Sequence, residues 1–339
     1  MRYNTLGIHL TNACNLSCGH CITDSSPHAR GDLTWPQIEA AVRSAAAHVD
    51  GVCITGGEAL LRRELALRTI RLTRSLGLRA SLVTNGFWAR SRAEADAMVA
   101  ELVDAGLDKL AVSFDRYHFT PKHRGVRAEL LDTLLAAAAA APDLELVVQY
   151  CGRGEDDAYR IAAQAAARHA ARLETAAVLP FGRGRNLLLR REVDINEVPD
   201  GPCGVVGRPI LTPEGDFYTC CGPARGAHAE SPLRLPIDSA ADVGGALARA
   251  EVDPIINTIH THGPKAMLGM LSDVTRRRVS ENLLDGSMCS LCRAITDDAE
   301  ATDEVRTALS GNEVRLIALS AVLGVAQNKR KGEQSTCRR

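Results

Sequence analysis

The sequence lacks a charge excess of either sign: 40 Lys and Arg against 41 Asp and Glu leave a formal net charge of -1. It therefore carries no overall basic footprint for nucleic acid and no acidic field for cationic partners. No apolar run approaches the roughly 18 residues that a bilayer span requires, and even the alanine stretch at 136–141 is short. The opening residues, Met1-Arg2-Tyr3-Asn4, show no signal-peptide pattern. No internal repeat is evident beyond a simple alternation of apolar runs and helix-period segments. These absences predict a cytoplasmic globular protein with no membrane role and no nucleic-acid partner. With 339 residues, 45% of them hydrophobic, the chain can bury one large core and a smaller second unit.

What is present in quantity is cysteine. Eleven cysteines in a reducing compartment argue against a disulfide framework. Their grouping points to metal instead: Cys14, Cys18 and Cys21 form one set, Cys220 and Cys221 follow Cys203, and Cys289 pairs with Cys292. Cys53, Cys151 and Cys337 stand alone. Cys53, inside Val52-Cys53-Ile54, reads as a small buried hydrophobe.

From residue 5 to about residue 180 the alternation predicts six β/α units and a parallel sheet. Strands are expected at Leu6–Leu10, Gly51–Thr55, Arg79–Thr84, Lys109–Phe114, Leu144–Tyr150 and Thr175–Leu179. Helices should begin near Trp35, Leu60, Ser91, Val126 and Asp156. Thr34 is placed as an N-cap with Pro36 just inside, and Ser91 with Glu94 has capping-box spacing. Binding residues of such folds gather beyond the carboxyl ends of the strands. After Arg185 the rhythm breaks at Pro199, Gly201 and Pro202, and a hairpin is expected from Pro209–Leu211 and Asp216–Thr219 through Pro213-Glu214-Gly215. Further helical stretches are expected near Ala240–Ala250 and Pro264–Met270. The division is 1–187 for the α/β unit, 188–326 for a second unit, and 327–339 for a polar, basic, disordered tail.

Directly after the first strand, Cys14-Asn15-Leu16-Ser17-Cys18-Gly19-His20-Cys21 has the spacing C-x3-C-x2-C. Three thiolates on one loop can hold three irons of a 4Fe-4S cubane and leave the fourth without a protein ligand. A three-cysteine zinc site is the plainer alternative. The segment resembles the cluster loop of the radical S-adenosylmethionine (SAM) superfamily, with His20 in place of the usual aromatic. The resemblance implies a partial (β/α)6 TIM-like barrel, a catalytic 4Fe-4S cluster, SAM chelated at the open iron, and a flavodoxin- or ferredoxin-type reductant. Thr55-Gly56-Gly57-Glu58 resembles the family's GGE motif, in which backbone and carboxylate receive the methionine amine; Ala59 replaces the usual proline. Thr84-Asn85 and Ser113-Phe114-Asp115 resemble strand-end positions that bind the ribose and carboxylate of SAM. Pro180-Phe181-Gly182-Arg183-Gly184-Arg185 resembles a P-x-G-R segment whose arginine, Arg183, could pair with a carboxylate.

In the second unit, Cys203, eleven residues, Gly215, four residues, Cys220 and then Cys289-x2-Cys292 resemble the auxiliary-cluster extension called SPASM in its long form and twitch in its short form. No further cysteine cluster follows Cys292, which implies one auxiliary 4Fe-4S cluster with four thiolate ligands; a four-cysteine zinc site is the alternative. Cys221 is then a hydrogen-atom donor, an exchangeable ligand or a spare thiol. In Asp115-Arg116-Tyr117-His118-Phe119-Thr120-Pro121-Lys122-His123, Tyr117 and His118 are candidates for substrate contact or proton transfer. The expected activity is hydrogen abstraction from a C–H bond, leading to epimerisation, crosslinking or oxidation. Family frequency favours a ribosomally made precursor peptide. A sugar or aminocyclitol is the alternative, as is a non-enzymatic Fe-S or zinc protein, which would not need the GGE feature.

Overall fold

The computed structural model describes residues 3–118, 127–187 and 193–311. The expected helix start near Val126, residues Phe119 to His123, Cys337 and the 327–339 tail lie outside the described residues. Six strands, β1 (Leu6–His9), β2 (Gly51–Thr55), β3 (Arg79–Thr84), β4 (Lys109–Ser113), β5 (Glu145–Cys151) and β6 (Arg172–Ala176), pair in parallel, each with its sequence neighbour. The register runs from Leu6 against Val52 to Cys151 against Ala176. All four residues of β1 are buried, as a parallel sheet covered on both faces requires.

Five helices cover the outer face: α1 (Trp35–Ala45), α2 (Arg63–Ser75), α3 (Arg92–Asp104), α4 (Ala128–Ala138) and α5 (Asp157–Arg168). Their starts follow local chemistry. The Thr34 amide donates to Gln37 Oε1 at 2.9 Å ahead of Pro36, Ser91 Oγ accepts from the Glu94 amide, and Asp156 caps α5 through the Tyr159 amide. Before α2 comes a 3-10 turn, Ala59–Arg62, capped by Glu58.

β6 lies three residues earlier than the expected Thr175–Leu179. Ala170 ends α5 with φ 54°, and pairing with β5 resumes at once. As an edge strand, β6 exposes Arg172, Thr175 and Ala176, so the apolar run that suggested the strand actually follows it.

The expected hairpin forms as β7 (Ile210–Leu211) and β8 (Phe217–Tyr218), with Gly215 at φ 84° in the turn. β7 pairs in parallel with β1, giving one eight-stranded sheet in the order β6-β5-β4-β3-β2-β1-β7-β8. The chain continues through α6 (Val243–Glu251), α7 (Pro254–Thr261), a 3-10 stretch at Pro264–Met270, α8 (Asp273–Glu281), α9 (Met288–Thr296) and α10 (Ala299–Ser310). Among the described residues no helix is long and apolar enough to cross a membrane.

Candidate functional site: a cavity inside the sheet and a four-thiol chamber beside it

Curling of the sheet encloses a cavity of about 900 Å³. Alternate strand residues face it, including Gly7 and His9, Cys53 and Thr55, Ala111 and Ser113, as the two-residue period of a strand dictates. Cys53, expected as a core hydrophobe, is therefore on the cavity face, and Cys151 joins it.

At the carboxyl end the loop after β1 brings Cys14, Cys18 and Cys21 to the cavity wall. Cys14 Sγ accepts from the Leu16 amide at 3.4 Å, and the Cys21 amide donates to the Cys18 carbonyl at 3.1 Å. Burial pushes the thiols of Cys14 and Cys18 up to about 12, so bringing thiolates here requires a cationic centre to hold them. Among the described residues, the His/Cys/Asp/Glu group whose ligand atoms all lie within 4.8 Å of one another is His20, Asp115 and His118; the three thiols form no such group. Two sulfurs on one zinc lie no more than about 4.6 Å apart. The loop thus fits a multi-iron cluster better than a single ion.

Gly56 and Gly57 pass against the same loop. The Gly57 amide donates to Thr11 O at 2.7 Å and the Glu58 amide to Ala13 O at 3.0 Å. A Cβ on Gly57 would fall 2.4 Å from Ala13 O, so only glycine fits. Glu58 is buried, and its carboxylate accepts from the amides of Leu60 and Asn85 and from Thr84 Oγ1 at 2.7–3.0 Å. Burial raises this carboxyl above its usual range, against those hydrogen bonds. Asn85 Nδ2 reaches Asn15 Oδ1 at 2.8 Å. The GGE segment, the end of β3 and the cysteine loop therefore form one braced unit.

Asp115, nearly fully buried, lies between two imidazoles, 3.2 Å from His20 Nε2 and 2.9 Å from His118 Nδ1. Burial raises its carboxyl, but the hydrogen bonds and charges of His118 and His20 hold it well below the carboxylate range. His20 stacks on Tyr117 at 4.6 Å between ring centroids. His118 and Ser113 line the cavity; Tyr117 is outside its lining. Arg183 also lines the cavity, but its guanidinium is already engaged: Nε donates to Cys18 O at 2.9 Å and Nη2 to Ser25 O at 2.6 Å. It clamps the cysteine loop.

Cys203, Cys220, Cys289 and Cys292 surround a second, small chamber with Ala224, Leu233 and Ile259. Three separate segments bring the four cysteines there. Cys203 precedes the 3-10 turn Gly204–Gly207, Cys220 follows β8, and Cys289 and Cys292 share one face of α9 at i,i+3 spacing. Arg293 binds α9 to the 223–226 loop through the carbonyls of Pro223 and Gly226. Burial raises the thiols of Cys220 and Cys289 to about 12 and about 11 and that of Cys292 well above its usual value. These four also form no group within 4.8 Å. The donor set fits a cluster with no open position. Cys221, the next residue, lines the large cavity instead.

Sequence reasoning missed His9, Arg208 and Arg225, which line the large cavity from β1 and from the region around β7 and β8. No local motif marks them, because His9 and Arg225 meet across 216 positions of chain.

The fold and the braced cysteine loop define a domain class. Residues 8–163, somewhat less than half of the chain, match the model of the Radical SAM superfamily. Among curated relatives, a probable GTP 3',8-cyclase of Methanocella arvoryzae is 31% identical over 170 residues, 47% of this chain and 52% of its own. The GTP 3',8-cyclase of Xanthomonas axonopodis pv. citri is 35% identical over 145 residues, 40% of this chain and 42% of its own. The chain spans about half the length of the curated relatives it matches. A solved structure, native anSMEcpe with bound AdoMet, shares the fold at a TM-score of 0.51 and 13% identity, over 94% of this chain and 99% of that one.

Proposed function

We propose that the chain is a radical SAM enzyme with one catalytic 4Fe-4S cluster on Cys14, Cys18 and Cys21 and one auxiliary cluster on Cys203, Cys220, Cys289 and Cys292, in a twitch-like unit spanning 188–326. The observation that carries this reading is the bracing of the three-thiol loop by Gly57, Glu58, Asn85 and Arg183 around the mouth of one cavity. When bound, the cluster and SAM would supply the one-electron chemistry, reductive cleavage of the sulfonium bond to a 5'-deoxyadenosyl radical, needed to abstract hydrogen from a substrate C–H bond. A flavodoxin- or ferredoxin-type protein would supply the electron.

The chain's own residues do the positioning. Gly56 and Gly57 open backbone room for the methionine end of SAM, Thr84, Asn85 and Ser113 lie at strand ends where its ribose would rest, and Asp115 orients His20 and His118. His118 is placed to accept a proton in the cavity, with Tyr117 supporting His20 from behind. Cys221, facing the cavity, is placed to return a hydrogen atom to a substrate radical, which inverts a stereocentre. Transfer of an electron toward the four-thiol chamber would instead leave an oxidised or crosslinked product.

A ribosomally made peptide is the leading substrate class. β6 supports it, since among the described residues its outer edge pairs with no strand and could add a peptide strand. A small molecule, such as a sugar or aminocyclitol, is the second reading, favoured by a cavity of small-ligand size with polar side chains among its lining and by relatives named for a GTP reaction. Anaerobic reconstitution, iron and sulfide counting, and assay of 5'-deoxyadenosine with SAM and a strong reductant test the proposal. About eight irons per chain with deoxyadenosine formed is the expected result; zinc in place of iron overturns it.

A further inference from the structure

Arg225 carries a positive charge to the cavity wall, where the Glu214 carboxylate is near enough to act on it without closing an ion pair. Its Nη1 donates to His9 Nδ1 at 2.6 Å, and among the described residues it has no ion pair within 4.0 Å. Because a guanidinium only donates, this contact makes Nδ1 the acceptor and leaves the proton on Nε2. That Nε2 is buried with no hydrogen-bond partner, and His9 is fully buried while lining the cavity. Burial holds the imidazole well below its ordinary range, with the Arg225 charge acting in the same direction, so His9 is a neutral donor.

Arg208 lines the same cavity, also with no ion pair among the described residues. Both arginines lie close enough to Cys221 to act on its charge, and Arg225 also feels Cys21. Two guanidiniums and an imidazole N–H thus line the cavity that the cysteine loop and Cys221 also line. Arg208 is exposed, whereas the burial of Arg225 is only partly offset by Glu214, and an anionic ligand would offset the rest.

The geometry points to an oxyanion subsite formed by Arg225, Arg208 and His9, which holds a carboxylate or phosphate of the substrate so that the carbon to be altered lies between the cysteine loop and Cys221. This rests on the cavity being the active site proposed above, and it names the substrate's charge. A peptide would enter with an acidic group, and a small molecule would be a phosphorylated or carboxylated one. A polyamine-like aminocyclitol is disfavoured, since its ammonium groups would meet two guanidiniums.

The test is equilibrium binding of inorganic pyrophosphate, inorganic phosphate and glutarate to the full chain, reconstituted anaerobically, by titration calorimetry with and without SAM. Saturable binding of at least one anion is expected, weakened about tenfold or more by Arg225→Gln and by Arg208→Gln, with SAM affinity unchanged and spermidine unable to compete. Preference for the phosphates or for glutarate identifies the oxyanion. Absence of saturable binding at millimolar anion, or binding unaffected in both variants, overturns the subsite. Loss of SAM affinity in the variants without loss of anion binding also overturns it, because the arginines would then serve the cofactor. Anion binding is read without turnover, so failure of radical chemistry would leave this result separately legible.

Discussion

Glu58 and Asn85, 27 residues apart, are joined by a 2.7 Å hydrogen bond from the Asn85 amide to Glu58 Oε2, with the carboxylate fully enclosed. The same carboxylate takes the Leu60 amide and the Thr84 hydroxyl, so one side chain ties the turn after β2 to the end of β3. Glu58→Ala leaves two buried amides without acceptors and should cost about 2–5 kcal/mol of stability. Urea denaturation of the cluster-free protein checks this, and an unchanged midpoint would show that the brace is dispensable.

Gly57→Ala places a Cβ 2.4 Å from the Ala13 carbonyl. Backbone on both sides cannot yield cheaply, so a loss of about 1–3 kcal/mol is expected. The loop carrying Cys14 must shift with it, and iron retained after reconstitution should fall. Wild-type iron content in this variant would show that the close approach does not position the thiols.

Asp115 gives the fold an acid-sensitive contribution. Its folded carboxyl is held below the usual 3.8, so the stabilisation is present above that value and is lost as pH falls through the folded value. Asp115→Asn should be less stable than wild type at pH 6, with the gap in urea midpoint narrowing as pH drops below about 4. A gap that stays constant across that range would remove the ion-pair explanation.

The two cysteine sets should be separable. Cys292→Ser is expected to retain about four irons with SAM cleavage intact, whereas Cys14→Ser should abolish deoxyadenosine while the auxiliary site keeps about four. Iron counting with a deoxyadenosine assay decides it; equal loss of cleavage in both variants would mean that the sets do not hold independent clusters.

Cys221→Ser should leave iron content and deoxyadenosine formation near wild type while an inverted product disappears from assays with an accepted substrate. Loss of about four irons would instead assign Cys221 as a ligand.

Local chemistry made much of this legible beforehand. Capping residues placed α1 and α3 at their starts, α5 begins beside the expected Asp156, β2 and β3 run over the expected residues, and the C-x3-C-x2-C loop and the GGE turn stand together at the carboxyl ends of β1 and β2. These are signals that a few neighbouring residues carry by themselves, through hydrogen-bond caps, strand period and glycine clearance.

Other features depend on contacts between distant segments. The sequence placed β6 too late because an edge strand need not be apolar, and a two-strand hairpin does not reveal that it will extend the sheet beside β1. That Cys220 faces one chamber and its neighbour Cys221 another follows from how the chain after β8 is held, by α9 on one side and the sheet on the other. Arg225 becomes a companion of His9 only once β7 has docked against β1. The sequence by itself determined the cysteine loop, its glycine turn and the alternation that builds the sheet. Only the tertiary structure decided which thiols share a chamber and which charges line the cavity, because those depend on side chains meeting across 70 to 216 positions of chain, where no local period reaches.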